Sequence, residues 1–263
     1  MKKPPQVALL CTGSLAASPI SRLPGFATYL GPVKSTSLRL ASRYVNSLRA
    51  GFPVDDFGAI QQSEIVLIAC PDAAAVEMIE MLSNAALDWR GKCVAVCSDQ
   101  LESDALSRLA DAGANTASVG TVDGVDALLV EGDRTAVVQL RPVLRAGTGT
   151  KLLLTPPGRK KFYLAASACT GPMLTALLGR ASECLKLSGL SAPEAAELIE
   201  MQARRTTRAF LKAGKKGSAQ PDHLERHAAA LRLQNPDLAD FFERAAILTQ
   251  RIAASKHRQR HQF

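Results

Sequence analysis

The stretch Val7-Ala8-Leu9-Leu10-Cys11-Thr12-Gly13-Ser14-Leu15-Ala16-Ala17-Ser18 decides the fold that we predict for this chain. An apolar run that breaks at a glycine and restarts as a helix is typical of the opening strand, turn and helix of a dinucleotide-binding domain. The three places of the G-x-G-x-x-G fingerprint fall on Cys11, Gly13 and Ala16. One of the three glycines is therefore present.

The single glycine stands at the middle place, where a side chain would collide with a bound phosphate. Alanine is an accepted variant at the third place, so Ala16 is a mild departure. Cys11 is the larger one, because its Cβ disfavours a positive φ in the turn. The sequence thus predicts a nucleotide-binding fold, while leaving the nucleotide itself open.

The same residues also resemble a short secretory leader. Met1-Lys2-Lys3 would be its basic start, and Ala16-Ala17-Ser18 its small-residue cleavage site. Pro4 and Pro5 argue against a leader, and the apolar run before Thr12 is shorter than a usual leader core. Since no other stretch approaches the length of a continuous apolar membrane span, we expect a cytoplasmic chain with no membrane partner.

The composition limits which folds and which binding partners the chain can have. The chain has 263 residues, of which 47% are hydrophobic and 21% charged, so it can bury a sizeable core and should be ordered over most of its length. Aromatic residues make up only 5%, which counts against the stacking that single-stranded nucleic acids require. The net charge of +8 is spread along the chain and ends in a basic tail, residues 256–263, that we interpret as a frayed end. We therefore expect no nucleic-acid partner.

The cysteines indicate a reducing compartment. They lie mostly within apolar stretches and are interpreted as small core residues: Cys11, Cys70, Cys93, Cys97, Cys169 and Cys184. All four histidines follow residue 222, so no zinc pattern joins them to the cysteines. His223 and His227 are four residues apart, yet no third ligand is evident and we predict no metal site.

Hydrophobic periodicity divides the chain near residue 157. Short apolar runs alternate with helical patterns up to that point, which is the signature of an α/β domain. We predict strands at 64–70, 92–97, 126–131 and 152–155, and helices at 35–47, 73–82, 103–112 and 134–145. Four helices are predicted beyond it, at 162–188, 193–213, 221–233 and 236–254. The expected architecture is a Rossmann-like doubly wound sheet over residues 1–157, followed by an all-helical domain over 158–255.

Short blocks spread over nearly the whole length resemble a bacterial family that joins a Rossmann-like domain to a helical domain, known as domain of unknown function 2520. They are Glu64-Ile65-Val66-Leu67-Ile68-Ala69-Cys70-Pro71-Asp72, Leu109-Ala110-Asp111-Ala112-Gly113-Ala114, Leu129-Val130-Glu131-Gly132-Asp133, Lys160-Lys161-Phe162-Tyr163-Leu164-Ala165-Ala166-Ser167 and Arg226-His227-Ala228-Ala229-Ala230-Leu231. That family is similar to the superfamily of 6-phosphogluconate dehydrogenase and pyrroline-5-carboxylate reductase. The resemblance implies an oxidoreductase that uses NADP and forms a homodimer through its helical domain.

The resemblance also implies where a cofactor would bind. Backbone amides of Gly13, Ser14 and Leu15, next to Cys11, would meet the pyrophosphate. Lys34 and Ser35, where the second strand should end, suit the 2′-phosphate of NADP better than the free ribose of NAD. A solvated helix start capped by Ser35 or Thr36 is an equal alternative.

Two buried strands end in polar residues that add candidates to the cofactor site. Pro71 and Asp72 follow one strand, and Ser98 follows the next; ligands of open α/β sheets bind at such carboxyl ends. The alternative that we favour for Asp72 is the cap of the next helix, and Ser98-Asp99 is also interpreted as a turn. No nucleophile elbow, Walker loop or carboxylate cluster appears, so hydrolase and phosphoryl-transfer functions have no support.

Lys160, Tyr163 and His227 are the candidate catalytic residues that the resemblance leaves. Lys160 and Tyr163 would share a helix face, so that the tyrosine donates a proton and the lysine lowers its pKa. The alternative is a tyrosine packed at the domain junction beside a solvated lysine, and a histidine that is buried or lies at the junction. Other polar positions of the family are replaced, notably by Val119-Gly120-Thr121, Leu164, Pro172 and Ser218-Ala219-Gln220. Two hypotheses therefore remain, an NADP-dependent oxidoreductase of unknown substrate and a non-catalytic nucleotide-binding or dimeric interaction protein.

Overall fold

A mostly parallel sheet forms the first of two compact units, which divide after Ala166. The computed structural model describes residues 6–15, 18–23, 25–122, 124–145, 150–213 and 224–258. The strands are β1 (Val7–Cys11), β2 (Leu30–Lys34), β3 (Phe52–Val54), β4 (Ile65–Ala69), β5 (Cys93–Cys97), β6 (Asn115–Thr121), β7 (Ala127–Gly132) and β8 (Lys151–Thr155). Their order is β3-β2-β1-β4-β5-β6-β7-β8, and only β6 and β7 pair antiparallel. The strand order reverses between β1 and β4, as in doubly wound folds.

Helices cover the sheet on both faces. They are α1 (Leu38–Leu48), α2 (Asp72–Asn84), α3 (Ser107–Asp111) and α4 (Arg134–Leu144). Alternate residues of β1 enter two separate cores, Leu9 on the face that packs against α4 and Leu10 on the face that packs against α2. Strands buried on both faces must be apolar throughout, which explains the continuous apolar runs of β1 and β4. The predicted Rossmann-like sheet is confirmed.

The helix that we expected after the first loop is absent from the described residues. Between β1 and β2 these contain two short 3-10 helices, Pro19–Arg22 and Phe26–Tyr29. Pro19 begins the first with Ser18 as its cap, and Gly25 precedes the second. Proline and glycine both disfavour the interior of an α-helix, and Pro19 and Gly25 are only six residues apart. Fewer than two α-helical turns therefore fit between them. The prediction of a dinucleotide-binding helix at this place is wrong for these residues.

The sequence analysis did not predict two of the strands, β3 and β6. The edge strand β3 is too short for a periodic signal. Strand β6 carries polar residues at buried places, and Ser118 is fully buried because its hydroxyl donates to the carbonyl of Leu101 at 2.6 Å. The helix predicted over 103–112 is a 3-10 turn followed by α3, and the other strands and helices predicted in this unit agree with the structure apart from their ends.

The second unit is helical. It contains α6 (Leu174–Leu187), α7 (Ala192–Ala213), α8 (Leu224–Gln234) and α9 (Pro236–Arg258), while α5 (Lys160–Ala168) begins in the first unit. A π-helical segment with Pro172 connects α5 to α6. The predicted helices are confirmed, and α9 reaches Arg258, so the part of the basic tail that is described is helical. Among the described residues, one helical stretch, Lys160–Leu187, is long and apolar enough to cross a membrane by length and composition alone.

Two buried polar side chains, Glu131 and Lys160, form hydrogen bonds between the sheet and the segment where α5 begins. Glu131 is fully buried and accepts hydrogen bonds from the Ser103 amide at 2.7 Å, the Ser103 hydroxyl at 2.8 Å and the Gly158 amide at 2.6 Å. Lys160 is 1% exposed, and its Nζ donates to Ser98 O at 2.6 Å, Leu101 O at 2.8 Å and Ser118 Oγ at 2.9 Å. Every proton of this ammonium therefore has a protein acceptor. The alternative of a solvated Lys160 is wrong.

Replacing Lys160 with methionine should lower the free energy of unfolding by roughly 2 kcal/mol, because the buried carbonyl of Ser98 loses its side-chain donor. Urea unfolding of the Lys160→Met variant measures this loss. Lys161→Met is the matched control, since Lys161 is exposed, and it should stay within about 0.5 kcal/mol of the wild type. Equal stability of both variants would contradict a structural role for Lys160.

Candidate functional site

A cleft of about 330 Å³ opens at the carboxyl ends of β1, β4 and β5. This is the place where the strand order reverses, and open α/β sheets bind their ligands there. The volume lies in the range of small-molecule sites. The lining residues are Ser14, Ser18, Pro19, Cys70, Pro71, Asp72, Cys97, Ser98 and Asp99. Four of the predicted cofactor-binding residues, Ser14, Pro71, Asp72 and Ser98, therefore come together here.

The first loop needs a glycine for a reason different from the one we expected. Gly13 has a φ of +69°, and a Cβ added to it would lie 2.9 Å from Cγ of Pro71. The glycine is thus required by the backbone and by the contact with Pro71, whether or not a phosphate binds. The next residue, Ser14, is exposed at the cleft, and its N–H forms no hydrogen bond with any described residue. Within the described part of the loop, no hydrogen bond of that amide competes with a ligand.

Cys11 does not obstruct the cleft. It is the last residue of β1, fully buried in the core, and it is not among the lining residues. Burial, reinforced by the neighbouring Cys70, raises the pKa of the Cys11 thiol to about 12. Burial likewise raises the pKa of Cys97, which lines the cleft, to about 12. These thiols are protonated at neutral pH, so they do not act as nucleophiles.

A cofactor contact by the Cys11 side chain stays a prediction that its burial does not favour. Leu15 is half-buried and packs against the same core.

Asp72 and Ser98 form a hydrogen-bonded pair in the cleft. The Ser98 hydroxyl donates to Oδ1 of Asp72 at 2.6 Å and accepts from the amides of Gln100 at 3.0 Å and Leu101 at 2.9 Å. Pro71 occupies the cap position of α2 and Asp72 lies in its first turn, so the interpretation of Asp72 as the cap is wrong. The interpretation of Ser98 as a turn residue is confirmed, because its hydroxyl accepts from two amides of the turn. Ser98 also lines the cleft, and its contact with a cofactor stays a prediction.

Basic residues lie where β2 ends. Nζ of Lys34 donates to the carbonyl of Asp55 at 2.8 Å and lies 4.8 Å from the centre of the Phe57 ring. Ser35 is 1% exposed, and its hydroxyl donates to the carbonyl of Cys11 at 2.6 Å. The cap of α1 is Ser37, so the expected caps Ser35 and Thr36 are both wrong. Arg39, in the first turn of α1, is exposed.

The three candidate catalytic residues have different surroundings. Lys160 is buried with all its protons donated, and burial lowers its pKa against the opposing effect of Asp99, Glu131 and Asp72. Tyr163 is half-buried against a small cluster in the first unit that includes Leu129 and Leu153.

His227 belongs to the second unit, whereas Lys160 and Tyr163 belong to the first. It is exposed, and its ring contacts the ring of Phe242 edge to face, with 6.3 Å between the two ring centres. The expectation of a buried histidine is wrong. His223 lies outside the described residues, and these contain no group of three metal-ligating side chains.

Sequence reasoning missed several residues that shape the site. Tyr44 on α1 donates from its hydroxyl to the carbonyl of Gly13 at 2.6 Å, a contact between distant segments that no local pattern reveals. Gly120 stands where a Cβ would lie 3.1 Å from Ser98 O and 3.3 Å from Nζ of Lys160. Its missing side chain makes room for the buried ammonium.

Comparisons with known proteins establish the fold. No protein-family model matches the sequence, and no curated protein matches it. A crystal structure of a protein from Thermotoga maritima is similar, with a TM-score of 0.63 and 17% identity over 95% of this chain and 99% of that one. An imine reductase from Myxococcus stipitatus in complex with NADP+ has a TM-score of 0.61 and 14% identity, covering 96% of both chains. Its V8 variant in complex with NAD+ has a TM-score of 0.66 and 15% identity, over 98% of this chain and 96% of that one. The chain therefore has, over nearly its whole length, the fold of these proteins.

Proposed function

We propose that this protein is an NADP-dependent oxidoreductase that reduces or oxidises a small molecule. The observation that carries the proposal is the cleft at the reversal of strand order, which is lined by Ser14 and which the buried Cys11 leaves open. Structurally similar proteins with NADP+ or NAD+ bound support it. The coenzyme supplies or accepts the hydride, and the chain must bind it and handle a proton.

The residues of the site fit a dinucleotide. The amide of Ser14 in the first loop has no partner among the described residues, and backbone amides of this kind are suitable donors to phosphate oxygens. Lys34 and Arg39 provide positive charge near the end of β2 for a 2′-phosphate. Asp72 and Ser98 line the cleft at the ends of β4 and β5, where they would orient the reactive end of the coenzyme and its partner substrate.

Tyr163 is the candidate proton donor for the substrate. Its phenol is the type of group that protonates a carbonyl or imine during hydride transfer. Lys160 acts differently from our first hypothesis, because its three protons are all donated to Ser98, Leu101 and Ser118. Its role is to hold the loop after β5 that forms part of the cleft, and it is a positioning residue.

The alternative is a non-catalytic protein with a degenerate cofactor site. Two observations favour it, namely the missing α-helix after β1 among the described residues and the two carboxylates of Asp72 and Asp99 in the cleft. A helix N-terminus attracts phosphate, and carboxylates repel it. Direct binding experiments distinguish the two functions.

NADPH should raise the midpoint of thermal unfolding, because a ligand at a hundred times its dissociation constant stabilises a fold by about 2.7 kcal/mol. Ser14→Asp should abolish that shift by adding a carboxylate at the phosphate position without the strain that any side chain causes at Gly13. Ser14→Asn, similar in size and uncharged, is the control and should keep most of the shift. The absence of a shift with NADPH, NADH and both oxidised forms would exclude the oxidoreductase proposal.

Lys34→Glu should weaken the binding of NADPH more than that of NADH, since only NADPH carries the 2′-phosphate. Dissociation constants of both coenzymes, measured by titration calorimetry at low salt, test the preference. Arg134→Glu makes the same change of net charge on α4, whose preceding strand β7 lies far from β2 in the sheet, and should affect neither coenzyme selectively. Equal losses for NADPH and NADH in Lys34→Glu would refute the preference for NADP.

We also propose that the protein is a cytoplasmic homodimer formed through its helical unit. Large apolar side chains are exposed there, including Leu177, Met201 and Phe210, at 46%, 58% and 59% exposure. An apolar surface of this kind is typical of an interface between subunits.

Leu177→Lys should shift the protein from dimer to monomer in light scattering coupled to gel filtration. Val76→Lys is the matched control, because Val76 on α2 is also 46% exposed but lies in the sheet unit. A wild-type monomer that floats with lipid vesicles would show instead that the apolar helices contact a membrane.

A further inference from the structure

The first loop of the sheet is held by two hydroxyl groups from other segments. Tyr44, on the helix after β2, donates to the carbonyl of Gly13 at 2.6 Å. Ser35, directly after β2, donates to the carbonyl of Cys11 at 2.6 Å. The carbonyl at the end of β1 and one carbonyl of the loop that follows are thus bound from the β2 side. Neither contact follows from the G-x-G-x-x-G fingerprint, and neither belongs to the cleft lining.

These contacts determine how the loop presents its polar groups. The described peptide bonds are trans, so the C=O of Gly13 and the N–H of Ser14, which share a peptide group, point in opposite directions. Because the Gly13 carbonyl is directed to Tyr44, the Ser14 N–H is directed away from Tyr44. Ser14 lines the cleft, and its N–H has no partner among the described residues.

We infer that Tyr44 is a positioning residue for dinucleotide binding, which orients the peptide between Gly13 and Ser14 so that its N–H serves the phosphates and its carbonyl does not. The inference rests on the proposed function. It explains how the loop presents a donor although the described residues after β1 include no α-helix that would supply a row of free amides.

The chemistry of Tyr44 suits this role. Its ring is half-buried and packs against the same core as Leu15. Burial, with the neighbouring Cys11 and Cys70, raises the pKa of the Tyr44 phenol, which therefore remains a protonated donor at neutral pH. Without the hydroxyl, the glycine at φ +69° leaves the peptide free to rotate and to turn its carbonyl towards the ligand.

The test is the binding of NADPH to Tyr44→Phe, which removes the hydroxyl and keeps the ring. NADPH should bind about threefold to tenfold more weakly, as expected for the loss of one hydrogen bond. Adenosine 2′-monophosphate, which has no pyrophosphate, should bind with unchanged affinity in competition experiments. Tyr29→Phe is the matched control, because Tyr29 packs against the same core and forms no hydrogen bond with the described loop residues. It should bind NADPH like the wild type.

Two results would overturn the inference while leaving the proposed function intact. Tyr44→Phe could bind NADPH as tightly as the wild type, or it could lose NADPH and adenosine 2′-monophosphate equally together with a lower midpoint of thermal unfolding, which indicates a general structural role. If the wild type binds neither NADPH nor NADH, the proposed function itself fails and the inference fails with it. The wild-type titration therefore separates the two failures.

Discussion

The reversal of strand order between β1 and β4 is the constraint on which the site depends. Crossover connections leave in opposite directions from these two neighbouring strands, so no connection covers the sheet edge between them. The space that remains is the cleft, bordered by the residues after β1, β4 and β5. Its position is therefore fixed by topology, whereas its chemistry is determined by the loops.

The loop after β5 has no regular structure of its own at Ser98 and Asp99, and two charged side chains hold it, the buried Lys160 and the exposed Asp99. The ammonium of Lys160 binds the carbonyl of Ser98, and the carboxylate of Asp99 accepts from the amide and hydroxyl of Thr121 at 2.6 and 2.9 Å. A buried ammonium without acceptors would be costly, so the network is stable only when complete. A completed network rigidifies the cleft, and rigid surroundings favour the precise placement that a reaction requires. Lys160 therefore supports the loop of the cleft, since its three donors are bound to protein acceptors.

The sequence predicted the sheet well because its strands are buried on both faces and must be apolar. Strand β4 is therefore evident, and so is the cleft at its end, with Pro71 and Asp72. Strand β6 was missed since its buried serine is satisfied by a distant carbonyl, which periodicity does not detect. The same limit applies to Lys160, whose three partners lie 42, 59 and 62 residues earlier in the chain, and to Tyr44, whose partner Gly13 is 31 residues away. Local patterns predict elements, and long-range hydrogen bonds decide which polar side chains are available to a ligand.

The described residues after β1 contain no α-helix, and the effect of this on phosphate binding is small. A helix N-terminus stabilises an exposed anion by about 0.3–1 kcal/mol, whereas micromolar binding corresponds to roughly 8 kcal/mol. The loss of the helix is therefore small against the whole affinity of a dinucleotide. A carbonyl turned towards a phosphate would be worse, because it replaces a donor with a repelling dipole. The hydroxyls of Ser35 and Tyr44 hold the carbonyls of Cys11 and Gly13 from the β2 side. The orientation of these peptides, more than the count of glycines in the fingerprint, determines whether the loop can accept a phosphate.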